Sequence, residues 1–296
     1  MLKDLIGKFK IDGNEIPLDH EETDYEELYG DYQKIGFIGA GNMATAIVNG
    51  LLKSHTPEET IFVHDCNVRQ LKHMAELGVN IAYTIEELVE NSDIIVLAVK
   101  PQNYDEVLAE IKTAVTDKKI FVTIAAGISI DYVRKGLGMD CPMVRVMPNT
   151  PLLLGKGATA VCRSENISDH DFDTIYNMFA NSGEAVELPE EQMNSVIAVN
   201  GSSPAYVYLF AKAMTDYAVS VGIDKDTALK LVAQTFIGSA EMLLSSGDDP
   251  DTLIQKVCSK GGTTIEAVNV LNENNGPQII MDAMAACTKR AEELGK

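Results

Sequence analysis

Two segments of the chain combine residue types that bind anionic groups in proteins. The first, GAGNMA from Gly39 to Ala44, fits the pattern G-x-G-x-x-A, follows the short apolar run KIGFIG and opens a segment with helical spacing. Its first glycine permits a tight turn, and its second lets the backbone come close to a pyrophosphate at the helix N-terminus. The segment therefore predicts a dinucleotide site, with a purely structural strand–turn–helix as the alternative.

Asp65 ends the next predicted strand, TIFVHD. A carboxylate at this position can accept hydrogen bonds from both ribose hydroxyls of NAD, and it would repel the 2′-phosphate of NADP. It therefore favours NADH over NADPH. The alternative is that Asp65 only caps the helix that follows.

Three further loops follow apolar strands: AVKPQ (98–102), AAG (125–127) and MPNTP (147–151). Open α/β sheets bind ligands beyond the carboxyl ends of their strands, so we expect these loops to border one crevice. For each loop, an ordinary solvated turn is the alternative. The predicted cofactor-binding residues are Ile38, Gly39, Ala40, Gly41, Asn42, Met43, Asp65, Ala98, Val99, Lys100, Pro101, Ala125, Ala126, Gly127 and Asn149.

The second anion-binding segment, VCSKGGTTIEAV, lies much further along the chain. Gly262, Thr263 and Thr264 precede an amphipathic helix, where exposed backbone N–H groups and the helix dipole would favour a carboxylate. From spacing alone, however, a plain helix start capped by threonine is the stronger interpretation.

NGSSPAYVY, from Asn200 to Tyr208, also has two interpretations. Ser203 before Pro204 is a suitable N-cap, with proline in the first helical turn. Ser202 and Asn200 could instead border a ligand.

The surrounding elements divide the chain into parts. Up to about Glu190, strands that are apolar on both faces alternate with helices, which predicts a parallel sheet covered on both sides. Beyond that point, segments of helical period follow one another, separated by glycines. We therefore predict an acidic N-terminal extension over residues 1–32, an α/β dinucleotide-binding domain of the Rossmann type over 33–190, and an all-α domain over 191–296.

The composition argues against several classes of partner. A net charge of −20 disfavours nucleic acid and anionic membrane surfaces, and no apolar stretch is long enough for a membrane-spanning helix. The five cysteines are scattered and lack CxxC spacing, so neither a disulfide framework nor a zinc site is expected. With no signal-peptide core at the N-terminus, we expect a soluble, cytoplasmic protein without a metal ion.

Several strings together resemble the pyrroline-5-carboxylate reductase family, which performs the last step of proline synthesis. They are IGFIGAGNMATAIVNGL, AVKPQ, IAAGISI, RVMPNTP, NGSSPAYVY and CSKGGTTIEAVNVLNEN. The resemblance runs from about Lys34 to the C-terminus, and its late motifs are more specific than the dinucleotide loop. It implies a Rossmann domain followed by a helical dimerisation domain. It also implies homodimers that often build larger rings, with the active site between one subunit's sheet and its partner's helices.

The implied reaction is hydride transfer from NADH or NADPH to the C=N carbon of pyrroline-5-carboxylate, which gives L-proline. The carboxylate of this small substrate would be held by Gly262, Thr263 and Thr264, with Ser202 nearby. Thr264 would be the catalytic hydrogen-bond partner of the ring nitrogen. Since a threonine hydroxyl is a poor Brønsted acid, the proton would come from protonated substrate or through water.

The chain departs from the family's usual pattern at two motif positions. Lys260 replaces the proline of S-P-G-G-T-T, and Asp65 stands where many members carry a polar or basic group for NADPH. The acidic extension is additional.

Two other functions remain as alternatives. A related two-domain 3-hydroxyacid dehydrogenase would be expected to carry a catalytic lysine in its helical part, where Lys212, Lys225 and Lys230 occur in surface-like contexts. A non-catalytic dinucleotide-binding redox sensor would bind the cofactor without turnover.

Overall fold

The structure is a computed structural model that describes residues 32–295, so the predicted acidic extension lies outside the described residues apart from Tyr32. Its strands form one sheet in the order β3-β2-β1-β4-β5-β6-β7-β8. They are β1 (Ile35–Ile38), β2 (Ile61–His64), β3 (Asn80–Ile81), β4 (Ile94–Leu97), β5 (Ile120–Thr123), β6 (Met143–Met147), β7 (Gly157–Arg163) and β8 (Gly183–Glu187).

Strands β1 to β6 are all parallel to one another. β7 runs antiparallel to β6, and β8 is parallel to β7. The strand order reverses direction between β1 and β4, which is where open α/β sheets bind dinucleotides. The expectation of a parallel sheet is therefore correct for β1 to β6 and wrong for β7 and β8, which run in the opposite direction. Hydrophobic pattern alone does not distinguish the direction of a strand that is buried on both faces.

Helices cover both faces of the sheet and continue beyond it. They are α1 (Asn42–Lys53), α2 (Val68–Glu76), α3 (Ile85–Glu90), α4 (Tyr104–Ile111), α5 (Ile130–Leu137), α6 (Asp169–Ala180), α7 (Ser203–Ser220), α8 (Lys225–Ser245), α9 (Pro250–Val257), α10 (Thr263–Glu273) and α11 (Gly276–Leu294). Short helical turns follow β4, β6 and β8, and a π-helix over Ile197–Gly201 precedes α7. None of the helices within residues 32–295 is both long and apolar enough to cross a membrane.

Alternation along each strand places the core in two layers. In β4, Ile94 and Val96 point towards α1, α2 and α6, whereas Ile95 and Leu97 point towards α3, α4 and α5. All four side chains are fully buried, which is why the strand shows no polar face. The prediction of an α/β Rossmann-type part followed by an all-α part is confirmed.

The helix starts differ in a way that bears on ligand binding. Asn67, Thr84, Ser129 and Ser168 cap α2, α3, α5 and α6 through their side chains. By contrast, α1 and α10 each have a glycine in the N-cap position and therefore no capping side chain. Their first N–H groups are left as donors for an external acceptor.

Candidate functional site

The glycine loop between β1 and α1 holds two strand ends together. Gly39 has a φ of +107°, and its N–H donates a hydrogen bond to the carbonyl oxygen of His64 over 2.8 Å. A Cβ atom on Gly39 would lie only 2.7 Å from the carbonyl oxygen of Ala98, just beyond β4. Only glycine fits this close approach, so the exits of β1, β2 and β4 meet at the reversal point of the sheet.

Gly41 faces open space at the start of α1. Its backbone is extended, with a φ of −73°, and an added Cβ would have no heavy atom within 4 Å from residues 32–295, its own chain neighbours apart. The free N–H groups of the first turn and the positive end of the helix dipole adjoin this space. The position therefore has both the space and the free donors that the pyrophosphate of a dinucleotide requires.

Asp65 joins the end of β2 to the glycine loop. One carboxylate oxygen accepts a hydrogen bond from the N–H of Ala40, and the other accepts one from the N–H of Asn67, each over 2.7 Å. The side chain of Asn67 accepts from the N–H of Arg69 and so caps α2. Asp65 is therefore not the residue that caps this helix.

A crevice of about 480 Å³ lies between these strand ends. Seven of the predicted cofactor-binding residues line it: Ile38, Gly39, Gly41, Asp65, Ala98, Val99 and Lys100. No sequence motif predicted the seven other lining residues, which are His64, Cys66, Ile85, Asn103, Glu106, Val107 and Glu110. Four of the seven belong to α4 or the turn before it, and no motif marks which face of that helix turns towards the crevice.

Tyr104 links the ends of two strands next to the crevice. Its hydroxyl donates to the carbonyl oxygen of Leu97 over 2.9 Å and lies 2.8 Å from the hydroxyl oxygen of Thr123. Burial raises the pKa of Tyr104 far above its usual value. The side chain therefore stays protonated and ties the exits of β4 and β5 together.

The Ala125–Gly127 loop after β5 lies under the end of α11. Gly127 has a φ of +83°, and a Cβ there would lie 2.6 Å from the carbonyl oxygen of Ala291 and 2.9 Å from Cβ of Leu294. Ala125 is buried and Ala126 half-buried. The cofactor contacts predicted for this loop stay predictions.

Asn149 is occupied by contacts within the chain. Its amide nitrogen donates to the carbonyl oxygen of Asn200 over 3.1 Å, and its amide oxygen accepts from the N–H of Ala158 over 3.0 Å. Asn200 in turn donates to the carbonyl oxygens of Met147 and Ala158. The two asparagines attach the π-helix to the end of β6, so the side chain of Asn149 has a structural role in addition to its predicted contact with the cofactor.

Ser202 occupies the N-cap position of α7, and its hydroxyl oxygen lies 3.2 Å from the sulfur of Cys287. Ser203 is the first helical residue, and its hydroxyl donates back to the carbonyl oxygen of Ala198 over 3.0 Å. The expectation that Ser203 is the N-cap is wrong by one residue. The π-helix runs directly into α7, so Ser203 already has an acceptor in the preceding turn.

The GGTT segment begins α10 with a glycine in the N-cap position. Gly262 is the N-cap, with a φ of −82° and a ψ of 170°, and it contributes no capping side chain. Thr263 is exposed and Thr264 half-buried. The alternative of a threonine N-cap is therefore wrong, and the first-turn N–H groups are without a side-chain cap.

Lys260 lies in a type II turn before this helix. The N–H of Gly262 donates to the carbonyl oxygen of Ser259 over 3.0 Å, and Gly261 has a φ of +71°. Lys260 is the second residue of the turn, where proline is favoured because its φ is preset. The lysine thus keeps the turn without that restraint, and its side chain is exposed.

Within residues 32–295, the crevice is lined by residues between Ile38 and Glu110 and by none of α10. No residue of α10 is buried. Ser202, by contrast, lies near the end of β6, because Asn200, two residues earlier, donates a hydrogen bond to the carbonyl oxygen of Met147.

Comparisons with known proteins also divide the chain into an α/β part and a helical part. The family model described as pyrroline-5-carboxylate reductase dimerisation matches residues 190–294, and the one described as NADP oxidoreductase coenzyme F420-dependent matches residues 34–127. The pyrroline-5-carboxylate reductase of Escherichia coli (strain K12) is 38% identical to the chain, over 89% of the chain and 99% of that protein. For the one from Arabidopsis thaliana the identity is 34%, over 89% and 96%.

Solved structures show the same relationship. The crystal structure of Plasmodium falciparum pyrroline carboxylate reductase with NADP bound has a TM-score of 0.83 and 30% identity, over 89% of this chain and 98% of that chain. The Coxiella burnetii pyrroline-5-carboxylate reductase has a TM-score of 0.81 and 33% identity, over 89% and 99%. The glycine loop, the crevice, the uncapped α10 and these similarities lead to one conclusion: the chain belongs to the pyrroline-5-carboxylate reductase family.

Proposed function

We propose that this protein reduces pyrroline-5-carboxylate to L-proline with a bound nicotinamide dinucleotide. The observation that carries the proposal is the pair of glycine-capped helix starts in a member of this family. One, at Gly41, adjoins an open crevice at the reversal point of the sheet. The other, at Gly262, offers backbone donors for a carboxylate.

A reduced nicotinamide dinucleotide, when bound, would supply a hydride to the imine carbon, and with a proton from protonated substrate or water the product would be a secondary amine. The chain orients the reactants. The first turn of α1 holds the pyrophosphate, and Asp65 accepts from the ribose. The N–H of Gly262 is engaged by Ser259, so the N–H groups of Thr263 and Thr264 bind the substrate carboxylate beside Gly262, and the Thr264 hydroxyl hydrogen-bonds the ring nitrogen.

We assign α10 in each site to a second copy of the chain. Large apolar side chains on the helical part are exposed in a single chain, with 88% of Leu244, 71% of Tyr217 and 68% of Leu209 accessible to solvent. Exposed apolar surface of this extent is typical of an interface between subunits. A homodimer would cover it and bring α10 to the partner's crevice.

Purified protein with pyrroline-5-carboxylate and NADH is expected to oxidise the cofactor, measured as loss of absorbance at the nicotinamide band, and to form proline. The control omits the imine. Cofactor binding without turnover would instead support the redox-sensor alternative. Oxidation of a 3-hydroxyacid with NAD, in the absence of imine reduction, would support the dehydrogenase alternative.

We further propose that NADH is preferred over NADPH. Asp65, Glu106 and Glu110 line the crevice with a single lysine, Lys100. Three carboxylates against one cation disfavour an additional phosphate on the ribose. The P. falciparum relative was solved with NADP bound, so the preference would be a property of this chain's residues.

Asp65→Asn should change this preference. The substitution removes the charge and keeps one amide oxygen as an acceptor for the N–H of Ala40. We expect kcat/KM with NADPH to rise about tenfold, because repulsion of the 2′-phosphate is lost, and kcat/KM with NADH to fall. Steady-state kinetics with both cofactors measures the ratio. Glu76→Gln, at an exposed carboxylate at the end of α2, is the matched control, and an unchanged ratio in Asp65→Asn would show that Asp65 does not discriminate.

A further inference from the structure

The last helix contacts two segments to which the proposed function assigns ligand binding. Cys287 of α11 approaches the hydroxyl of Ser202, with 3.2 Å between sulfur and oxygen. One and two turns later on the same helix, Ala291 and Leu294 pack against Gly127 in the loop that follows β5. Residues spaced by four and seven share one face of a helix, so a single face of α11 spans from Ser202 to the carboxyl edge of the sheet.

The backbone of Ser202 is fixed independently of its side chain. Its N–H donates to the carbonyl oxygen of Ile197 over 2.8 Å. Asn200, two residues earlier, donates to the carbonyl oxygens of Met147 and Ala158 over 2.7 and 2.8 Å. Ser202 is thus held near the exit of β6, at the edge of the sheet where the reacting ring of a dinucleotide is expected.

The hydroxyl of Ser202 does not perform the usual task of an N-cap serine. It makes no capping hydrogen bond to the first turn of α7, although serine in this position commonly does. Its partners are the Cys287 thiol, from a helix 85 residues further along the chain, and the hydroxyl of Tyr206. The orientation of the hydroxyl is therefore decided by a tertiary contact.

Tyr206, one turn along α7, completes the cluster. Burial raises the pKa of its hydroxyl, the neighbouring Cys287 thiol raises that pKa further, and the hydroxyl of Ser202 lowers it. The three side chains are each half-buried. The Ser202 oxygen has two lone pairs, so it can accept from both the Cys287 thiol and the Tyr206 hydroxyl, which leaves the serine O–H to donate to an external acceptor.

We propose that Cys287 is a positioning residue, which holds the Ser202 hydroxyl so that its O–H donates to the carboxylate of the substrate. The proposal rests on the proposed function and adds a residue to it. Cys287 itself does not touch the substrate and undergoes no chemical change. Its contribution is to keep one donor in place, so substrate affinity should depend on it more than the hydride step does.

Cys287→Ala and Cys287→Val both remove the hydrogen-bonding group and should raise KM for pyrroline-5-carboxylate about fivefold, as loss of one net hydrogen bond predicts. We expect kcat and the KM for NADH to change less than twofold. Cys287→Ser keeps the group and should restore the substrate KM to near the wild-type value. Thr288→Ala, at a half-buried hydroxyl next to Cys287 on the same helix, is the matched control and should leave KM unchanged.

A double-mutant cycle with Ser202→Ala separates positioning from a general packing effect. If Cys287 acts through Ser202, then Cys287→Ala should add no further increase in KM in the Ser202→Ala background. Full additivity would overturn the proposal, as would a wild-type KM in both Cys287→Ala and Cys287→Val, or a failure of serine to rescue. Absence of pyrroline-5-carboxylate reduction by the unmodified protein would overturn the proposed function instead.

Discussion

Gly41→Asp is expected to weaken dinucleotide binding more than a hundredfold without loss of fold stability. The new carboxylate would occupy the open space beside Gly41, where no heavy atom from residues 32–295, its own chain neighbours apart, lies within 4 Å of a Cβ, and would repel the pyrophosphate. Aspartate is also a better N-cap than glycine, so it would accept from a free N–H group of α1 and add roughly a few tenths of a kcal/mol of helix stability. Binding measured by calorimetry and stability measured by thermal unfolding should therefore change in opposite directions.

Gly41→Asn is the matched variant for this experiment. Asparagine is an equally good N-cap without the charge, so the difference between the two variants isolates electrostatic repulsion from occupation of space. Gly39→Ala provides the contrast, because its φ of +107° and its proximity to Ala98 make any Cβ costly to the fold itself. Normal cofactor binding by Gly41→Asp would mean that the pyrophosphate does not lie at α1.

Thr264→Ala should lower kcat about a hundredfold, since it removes one hydrogen-bond donor from the transition state, and leave NADH affinity unchanged. Thr264→Ser should retain most of the activity. Thr263→Ala is the matched control, because the contact proposed for Thr263 uses its backbone N–H, which alanine keeps. An equal loss of turnover and of cofactor affinity in Thr264→Ala would contradict the assigned role.

The same variants test whether the site is shared between two subunits. Co-expression of Gly41→Asp with Thr264→Ala at equal levels should restore about a quarter of wild-type activity. Half of the dimers would be mixed, and one of their two sites would combine an intact crevice with an intact α10. If each site were formed within a single chain, both sites of a mixed dimer would carry a defect, and activity would remain at the level of the single variants.

The local parts of the fold were predictable from the amino-acid sequence. Strand–turn–helix order, the glycine loop and the change to helices near Glu190 depend on spacing over a few residues. β3 was not predicted, because Asn80 and Ile81 are too few residues to show a period. The π-helix was not predicted either, since residues 197–201 have a helical period and only hydrogen bonding distinguishes the two types of helix.

The candidate site was predictable in its motifs and less so in their surroundings. Gly39 and Gly41 follow from the requirements of a tight turn and an open helix start. The acidic lining by Glu106 and Glu110 was not predicted, because which side of α4 faces the crevice depends on how that helix packs on the sheet. Asn149 was predicted from its place in a loop, and its amide is occupied by Asn200, 51 residues away.

The sequence by itself determined the features that depend on one residue's backbone freedom or on its immediate neighbours. These are the turn at Gly39, the free N–H groups behind Gly41 and Gly262, and the family to which the motifs point. Only the tertiary structure decided which strand ends meet, that Ser202 contacts Cys287, and that α10 lies away from the crevice of its own chain. Such contacts join residues that are distant in sequence, and they form only when burial of apolar surface across the whole fold outweighs the entropy of ordering the chain.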